Sequence, residues 1–468
     1  MRRTKIVCTI GPASSTARVV RRLVSQVNVF RLNFSHGDRH SHLGYLSTIR
    51  REARKTDRTV AILQDLPGPK IRVGKFEQGS ADLSRGSRFV LTASDVLGNS
   101  RRASINYPDL LDSVKHGDTL HLADGLIRLR VERKDENGDV ECTVLAGGTL
   151  SSGKGVNAPG VRMKVEYPTE ADISYLRFGL EHNIDFVAAS FVRTASDLRA
   201  LRRFFTTNGP SLIAKIEKRE AVKNFDEILR EADGIMVARG DLGIEVPIQT
   251  VPAIQKQIIR KCGQAGKPVI VATQMLVSMV NFPVPTRAEV TDVSTAILDG
   301  TDAVMLSDET TVGKYPFESV MMLDKIAKAT EKLPDSYARL WAETETTETA
   351  EAIGRAACRL ADYVGAKAIV APTQTGSTAK RVAMCRPAQP IVAMCTEGRI
   401  ARKLNLLRGV VPVVSRKATT VDWLFARADK AAVALGLARR GDRIVVTSGT
   451  PGVKGSTNVI RVSVVGGN

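Results

Sequence analysis

A lysine and two carboxylates stand at the ends of two neighbouring apolar segments. Lys215 and Glu217 close the segment SLIAKIE, and Asp241 follows GIMVARG. Mg2+ prefers oxygen ligands, takes one or two protein carboxylates and keeps positions open for substrate oxygens. Lys215 lies two residues before Glu217, so both side chains share one face of a strand. The group is suited to hold a divalent cation beside a phosphoryl group, although a structural ion pair at a strand end gives the same pattern.

Apolar runs that end in polar residues recur eight times along the chain, with helical patterns between most of them. The runs are KIVCTIG, VNVFRLNFS, VAILQDL, DFVAASFV, SLIAKIE, GIMVARGD, PVIVATQ and DAVMLSDE. Eight alternations of buried strand and helix predict a (β/α)8 TIM barrel, whose active site lies at the carboxyl ends of the strands. The predicted strand ends carry Arg31, Asn33, Asp65, Ser190, Lys215, Glu217, Asp241, Thr273 and Ser307.

The alternation is interrupted after the third predicted strand. Short alternating runs with Gly/Asp turns follow, and ENGD between two of them is a hairpin signal. They predict an inserted all-β domain that acts as a lid. Beyond the connector WAETETTETAEA, a second α/β alternation predicts a separate open α/β domain. The predicted division is a barrel of residues 1–68 and 165–334, a lid of 69–164 and a C-terminal domain of 335–468.

Composition narrows the class of protein. The chain has 468 residues, 43% of them hydrophobic and 25% charged, which is typical of a soluble protein with two or three domains. No apolar run is long enough for a membrane span, and the N-terminus reads as a core strand rather than a targeting peptide. Six cysteines without CxxC spacing predict buried free thiols in a reducing cytoplasm.

The formal net charge of +19 is compatible with a nucleic-acid-binding protein. The basic residues are nevertheless dispersed, mostly as arginine pairs on helical segments such as RVVRRL, without aromatic interleaving or a basic tail. An anionic substrate or an arginine-rich proteome explains the charge equally well. We therefore expect neither a nucleic acid nor a membrane as partner.

Motifs along the whole chain resemble those of pyruvate kinases. They occur in the family's order, from CTIGPAS and RLNFSHG through GPKIR, KIE, MVARGDLG and GKPVIVATQML to PTRAE and LSDET. The resemblance implies an enzyme that transfers the phosphoryl group of phosphoenolpyruvate to ADP, the final step of glycolysis. It also implies a cytoplasmic homotetramer under allosteric control, with Mg2+ as cofactor and Mn2+ as a substitute.

The resemblance assigns the catalytic roles. Glu217 and Asp241 match the Mg2+ ligands, and Lys215 matches the group that stabilises charge on the transferring phosphoryl. Arg31 and Arg72 would bind phosphate oxygens with planar guanidinium forks. The substrate carboxylate would be received by the backbone of Gly240 and Asp241 and by the Thr273 hydroxyl, and Thr273 and Ser307 would belong to the network that protonates the enolate.

The nucleotide site implied by the resemblance lies between barrel and lid. It comprises Asn33, Phe34, Ser35, His36 and Arg72, with Lys154 from the lid. His36 could equally be a loop histidine that bonds locally, and Asp124 in ADGLI could be a lid contact or a turn aspartate.

Many pyruvate kinases also bind K+, at positions matching Asn33, Ser35, Asp65 and the backbone of Leu66. K+-dependent members carry a glutamate where this chain has Lys70, within DLPGPKIR. A lysine ammonium there can supply the charge of the monovalent cation. Leu66 and Val73 also match the K+-independent subgroup, whereas Pro67 is unusual in either. We therefore predict activity without K+.

The C-terminal domain is predicted to bind a phosphorylated small-molecule effector. In PTQTGST, hydroxyls and backbone amides follow a strand and precede a helix, which suits a phosphate, and a plain strand-to-helix turn is the alternative. The later loop TSGTPGVKGSTN lacks the Trp and Arg of fructose-1,6-bisphosphate-activated forms, so AMP or ribose 5-phosphate is as good a candidate. The effector residues would be Thr373, Thr375, Gly376, Ser377 and Thr378.

Two positions depart from the family pattern, and two other functions compete with it. Val277 replaces a glutamate, and Asp308 replaces a small residue beside Ser307.

An aldolase or lyase on a Mg2+ barrel would share the carboxylate pair but would not need Lys215 or the lid. A catalytically silent regulator is suggested only by the net charge.

Overall fold

The computed structural model describes residues 1–161, 166–333, 348–417, 420–449 and 457–467. At its centre eight parallel strands close into a barrel, each hydrogen-bonded to its neighbours and the last pairing with the first. This confirms the TIM barrel predicted from the alternating pattern. The barrel strands are β1 (Lys5–Thr9), β2 (Val29–Asn33), β3 (Ala61–Asp65), β12 (Phe186–Ala189), β13 (Ser211–Ile216), β14 (Gly234–Ala238), β15 (Val269–Ala272) and β16 (Ala303–Leu306).

Helices surround the barrel, and the longer ones pack an apolar face against the outer side of the strands. Their starts are encoded locally. In PTRAE, for example, Thr286 accepts a hydrogen bond from Glu289 N at 3.2 Å while the Glu289 carboxylate accepts from Thr286 N at 2.8 Å, a capping box. The helices are α1 (Ala17–Val24), α2 (Arg39–Lys55), α4 (Glu170–Glu181), α5 (Ala195–Arg202), α6 (Arg219–Lys223), α7 (Phe225–Glu231), α8 (Arg239–Glu245), α9 (Val251–Gln264), α10 (Arg287–Leu298), α11 (Asp308–Thr311) and α12 (Pro316–Thr330).

The inserted segment between β3 and β12 is all-β apart from the short helix α3 (Asp109–Ser113), as predicted. It forms a six-stranded sheet and a two-stranded sheet around its own apolar core. The hairpin signal ENGD joins two antiparallel strands, and the Asp135 carboxylate accepts hydrogen bonds from Asn137 N and Asp139 N in that turn. The strands are β4 (Ser80–Leu83), β5 (Arg88–Thr92), β6 (Arg102–Ser104), β7 (Thr119–Leu122), β8 (Ile127–Lys134), β9 (Val140–Ala146), β10 (Gly148–Ser151) and β11 (Val156–Asn157).

The C-terminal region is the open α/β domain that the second alternation predicts. Its sheet has the order β19-β18-β17-β20-β21, parallel except for the last strand. Most of the connector WAETETTETAEA and of the loop TSGTPGVKGSTN lies outside the described residues. The elements are α13 (Thr349–Tyr363), β17 (Ile369–Thr373), α14 (Ser377–Met384), β18 (Ile391–Cys395), α15 (Gly398–Leu404), β19 (Val410–Val414), α16 (Val421–Ala434), β20 (Arg443–Gly449) and β21 (Thr457–Val464).

A segment of the C-terminal domain contacts the amino-terminal end of the barrel. Leu406 is fully buried in the apolar cluster of the barrel interior. Around it, Arg386 forms a buried ion pair with Asp302 at 3.0 Å, and Arg402 pairs with Asp185 at 2.7 Å. Lys5 Nζ donates to Val410 O at 2.5 Å. This end of the barrel is therefore occupied by packing, which leaves the opposite end for chemistry. Within the described residues, no helix has the length and apolarity needed to span a bilayer.

Lys5 makes stability depend on pH at this domain contact. Burial lowers its pKa from 10.5 to about 7, so between these pH values the unfolded chain binds a proton that the folded protein lacks. The free energy of unfolding is therefore expected to rise with pH across this window, by up to about 5 kcal/mol. Urea unfolding of the wild type and of Lys5→Met at several pH values measures it. The difference between the two should change with pH, and parallel profiles would contradict the assignment.

Candidate active site

Lys215 lies at the carboxyl end of β13, where it is 8% exposed. Its Nζ is 2.9 Å from Glu217 Oε1 and 3.2 Å from Asp65 Oδ1. It also donates a hydrogen bond to Ser190 Oγ at 2.7 Å. These partners follow or end the adjacent strands β3, β12 and β13, so the barrel brings together residues far apart in the sequence. The ammonium is held in one position, as a preorganised cation requires.

The charge state of Lys215 follows from these neighbours. Burial alone lowers its pKa, but the carboxylates of Asp65 and Glu217 outweigh burial and raise the pKa above its ordinary value. Burial likewise opposes the ionisation of Asp65, yet Lys215 and Arg31 hold the pKa of that carboxyl below its usual range. The site therefore contains a permanent cation at neutral pH.

Arg31 supplies a second fixed cation at the end of β2. Its Nε lies 2.6 Å from Asp65 Oδ2, and its NH1 donates to Thr9 Oγ1 at 3.0 Å. Asp65 is thus shared between Arg31, Lys215 and Ser190, whose Oγ donates to its Oδ1 at 3.2 Å. Asp65 orients both cations.

Glu217 and Asp241 are the two carboxylates of the predicted Mg2+ site. Glu217 is 1% exposed, and its Oε2 accepts a hydrogen bond from Phe191 N at 2.7 Å. Burial raises the pKa of Glu217; Lys215 lowers it, and the negative charge of Asp241, which is half-buried in α8, raises it again. The two carboxylates repel each other, and a divalent cation bound to both would relieve that repulsion.

The size of this set also fits magnesium. Within the described ranges, no group of three or more His, Cys, Asp or Glu side chains is arranged to hold a metal. Mg2+ does not require one, because it is usually bound through one or two carboxylates together with water and substrate oxygens. Glu217 and Asp241 therefore suffice.

Thr273 follows β15 in a left-handed conformation, with φ of 69°. Its Oγ1 accepts from Gly240 N at 2.8 Å and donates to Ala272 O at 2.6 Å. Arg239 NH2 donates to Thr273 O at 2.8 Å and its NH1 forms an ion pair with Asp292, which fixes the loop. Because the Gly240 amide is bonded to Thr273, it can receive a substrate carboxylate only if that bond is exchanged.

Ser307 follows β16, and its Oγ is buried without a hydrogen-bond partner in the part of the chain that the structure describes. Its amide donates to Glu309 Oε2 at 2.8 Å, and Glu309 Oε1 accepts from Leu276 N at 3.0 Å. Burial raises the pKa of Glu309. The sequence prediction missed this carboxylate, although it stands within LSDET. It ties the ends of β15 and β16 together and thereby positions Ser307. Asp308 between them is exposed.

Comparison with known proteins identifies the family. The family model described as "Pyruvate kinase, barrel domain" matches residues 1–320, and "Pyruvate kinase, alpha/beta domain" matches residues 351–463. The chain belongs to the pyruvate kinase family. This confirms the resemblance carried by the motifs.

Curated relatives agree over the full length. A pyruvate kinase of Geobacillus stearothermophilus is 47% identical over 473 aligned residues, which cover 99% of this chain and 80% of the relative. Those of Sporosarcina psychrophila and of Staphylococcus aureus (strain MRSA252) are 44% and 43% identical, each over 100% of this chain and 81% of the relative. Pyruvate kinases are phosphotransferases, so this chain belongs to an enzyme family of that class.

The predicted nucleotide-binding residues of the barrel fall into two groups, those in the core or in a local turn and those near the lid. Phe34 is 3% exposed and stacks on the His42 ring with centroids 4.0 Å apart, so its side chain is part of the core. Ser35 N donates to Asn33 Oδ1, which closes a local turn. The remaining barrel residue, His36, lies close enough to Arg72 of the lid for that charge to affect its pKa.

Arg72 and Lys154 of the lid form a cationic rim near His36. His36 is exposed, and partial desolvation followed by the charges of Arg72, Lys70 and Arg31 lowers its pKa. Arg72 NH1 donates to Gly153 O at 2.9 Å, beside the exposed Lys154. This rim suits a polyphosphate.

The lid also contacts the barrel at a place that the sequence prediction missed. Glu245, the last residue of α8, is 4% exposed and forms an ion pair with Lys218 at 2.6 Å. Asn157 Nδ2 from the lid donates to the same carboxylate at 3.4 Å. Lys218 follows Glu217 directly. This contact therefore connects the lid to the segment that carries Glu217, one of the two predicted metal ligands. Asp124 is exposed with φ of 56° in the turn between β7 and β8, which fits a turn aspartate.

Two of the predicted K+ ligand side chains, Asn33 and Asp65, already have partners within the protein. Asn33 Oδ1 accepts from Ser35 N, and the Asp65 carboxylate pairs with Arg31 and Lys215. Leu66 is buried, and its amide donates to Ala188 O. Lys70 lies with Phe191, Lys218 and Glu245 around a cavity of about 380 Å³ between the lid and the barrel.

The effector residues form a closed turn between β17 and α14. Thr373 Oγ1 accepts from Gly376 N at 2.9 Å, and Thr375 Oγ1 donates to Ser377 Oγ at 3.1 Å. Thr378 shares a hydrogen bond with Thr457 at 2.9 Å. Gly376 has φ of 91°, a conformation that favours glycine. These bonds account for the turn by themselves, so the effector assignment stays a prediction.

Proposed function

We propose that this chain transfers the phosphoryl group of phosphoenolpyruvate to ADP, giving pyruvate and ATP. The observation that carries the proposal is the fixed ammonium of Lys215 between Asp65 and Glu217, beside Arg31 at the carboxyl end of the barrel. A phosphoryl group in transfer carries negative charge on its equatorial oxygens, and preorganised cations stabilise that charge most in a water-poor site. The membership of the chain in the pyruvate kinase family supports the same reaction.

Each basic residue has a distinct role in this proposal. Lys215 stabilises the phosphoryl group between the donor and acceptor oxygens, and Arg31 binds its oxygens from the β2 side. Arg72 and Lys154 bind the ADP phosphates from the lid, with Asn33, Phe34, Ser35 and His36 forming the barrel side of the nucleotide site. Because both ion pairs of Lys215 involve buried carboxylates, the ammonium does not need to reorganise during transfer.

Glu217 and Asp241 would hold the divalent cation, Mg2+ or Mn2+, which when bound supplies positive charge to substrate phosphate and carboxylate oxygens. The Thr273 hydroxyl and the amides of Gly240 and Asp241 receive the substrate carboxylate once the bond between Gly240 and Thr273 is exchanged. Thr273 and Ser307 belong to the hydroxyl network that delivers a proton to the enolate of pyruvate. The unpartnered Ser307 Oγ supports this role because it is free to bond a water molecule or the substrate.

A coupled assay tests the proposed reaction. Purified protein is mixed with phosphoenolpyruvate, ADP and Mg2+, and lactate dehydrogenase reports pyruvate through oxidation of NADH. We expect turnover that requires all three components. Pyruvate formation without ADP would instead indicate a phosphatase or lyase.

We propose further that K+ is not required, because Lys70 supplies a positive charge and because Asn33 and Asp65 have protein partners. Turnover in tetramethylammonium chloride should lie within about threefold of that in KCl. Lys70→Glu should lose about tenfold or more without K+ and recover with it. Lys75→Glu, at an exposed position, is the matched control. A wild type that loses about tenfold without K+ would contradict the proposal.

The remaining assignments are proposals of the same kind. We propose a barrel of residues 1–68 and 165–334, a lid of 69–164 and a C-terminal domain of 335–468, in a cytoplasmic homotetramer. A phosphorylated small molecule is proposed to bind at the turn between β17 and α14, where hydroxyls and amides of Thr373 to Thr378 are concentrated. Activity measured with added AMP or ribose 5-phosphate tests this binding.

A further inference from the structure

Two of the six cysteines are neighbours in the C-terminal domain. Cys358 lies on α13 and Cys385 directly follows α14. The Cys358 thiol donates to Val382 O at 3.6 Å, and the Cys385 thiol donates to Arg381 O at 3.6 Å. These acceptors are consecutive carbonyl groups of one turn of α14, so the two sulfurs approach the same point from two helices. The two thiols are close enough for each to shift the pKa of the other.

The pair differs from the other cysteines in exposure and in charge. Cys385 is half-buried, whereas the other five are buried. The neighbouring Cys358 thiol lowers the pKa of Cys385, burial opposes this, and the charge of Arg355 adds to the lowering. The neighbouring Cys385 thiol, together with burial, raises the pKa of Cys358. Burial raises the pKa of Cys8, Cys142 and Cys395 to about 12. It also raises the pKa of Cys262 well above its usual value.

We propose that Cys358 and Cys385 form a reversible intramolecular disulfide when the protein meets a hydroperoxide. The Cys385 thiolate attacks the peroxide oxygen, which breaks the O–O bond and gives a sulfenic acid and an alkoxide or hydroxide. The sulfur of Cys358 then attacks the sulfenic sulfur and forms the disulfide. The sulfenic hydroxyl leaves with the Cys358 proton as water, and one further proton is taken up by the alkoxide or hydroxide. Two thiols are oxidised by two electrons, and one peroxide is reduced.

The bond would fasten α13 to α14. The turn of residues 373–378 lies at the start of α14, and Arg386, which pairs with Asp302 of the barrel at 3.0 Å, lies just after its end. A link at Cys385 therefore restrains the helix that lies between that turn and the barrel contact. This consequence depends only on the packing of the helices and not on the proposed function.

Oxidation of the full-length protein tests the proposal. The protein is treated with hydrogen peroxide, blocked with iodoacetamide, digested and analysed by mass spectrometry, and its thiols are counted with DTNB in denaturant. We expect a peptide that joins Cys358 to Cys385, and a count that falls by two from the six of the reduced chain. Dithiothreitol should restore both thiols.

Variants give matched controls. Cys385→Ser and Cys358→Ser should each lose the linked peptide, whereas Cys395→Ser, in the buried strand β18 of the same domain, should retain it. Sulfinic or sulfonic acid at Cys385 without a linked peptide would overturn the proposal, as would a link that forms only between chains.

Hydrogen exchange of the wild type provides a second test that does not depend on the variants folding. Amides of α14 should exchange more slowly after peroxide treatment and return to the original rate after reduction, while those of α10 in the barrel stay unchanged. Equal exchange of α14 in both states, or faster exchange throughout the domain, would overturn the proposal.

Discussion

Replacement of Lys215 by alanine is expected to lower kcat about 10³-fold while the KM for phosphoenolpyruvate changes by less than about threefold. The ammonium is buried and held by Asp65, Glu217 and Ser190, so it is positioned where charge develops during transfer. An interaction that is made mainly in the transition state affects kcat rather than substrate affinity. Steady-state kinetics at saturating Mg2+ measure both constants.

Two controls accompany this variant. Lys223→Ala removes an exposed lysine of α6 and should leave both constants unchanged. Lys215→Ala also leaves the buried Glu217 without its ion-pair partner and Asp65 with Arg31 alone. Loss of a buried partner is destabilising, so thermal unfolding of the variant must be measured to establish that the protein is folded at the assay temperature. An effect confined to KM would contradict the role of Lys215.

The second large effect is expected for Glu217→Gln, which should reduce activity at least about 100-fold. The amide occupies a similar volume but removes the negative charge of the most buried proposed metal ligand. Binding of Mn2+, followed by electron paramagnetic resonance without substrates, should weaken in the same variant, which provides a readout independent of catalysis.

Glu220→Gln is the matched control for this substitution. Glu220 stands three residues further along the chain, in α6, and has a buried carboxylate oxygen without a partner among the described residues. Its replacement should leave Mn2+ binding within about twofold of the wild type. Unchanged Mn2+ binding in Glu217→Gln would contradict the assignment of Glu217 as a ligand.

The sequence predicted the barrel strands and the residues at their ends because both depend on local pattern. An apolar run that stops at Lys215 and Glu217 already specifies a buried strand with a polar end. The eightfold alternation then requires these ends to meet at one face. The hairpin at ENGD was readable for the same reason, since its hydrogen bonds join residues a few positions apart.

Partners between distant residues were not readable. Asp65 was predicted as a K+ position, and its ion pairs with Arg31 and Lys215 depend on the register of β2, β3 and β12, which periodicity does not specify. Glu309 and Glu245 were missed because their roles arise from amides and side chains contributed by other elements. The sequence does not distinguish Leu406 from other apolar residues of the C-terminal domain. Its place in the barrel interior depends on how that domain packs against the barrel.

The central claim is that Lys215 acts on the phosphoryl group during its transfer. The most direct measurement is a rapid-quench single turnover with phosphoenolpyruvate labelled in its phosphate, at saturating ADP and Mg2+. We expect the wild type to form labelled ATP at least as fast as kcat, and Lys215→Ala to form it about 10³-fold more slowly at saturating substrate. Equal first-turnover rates in the two proteins would contradict the claim.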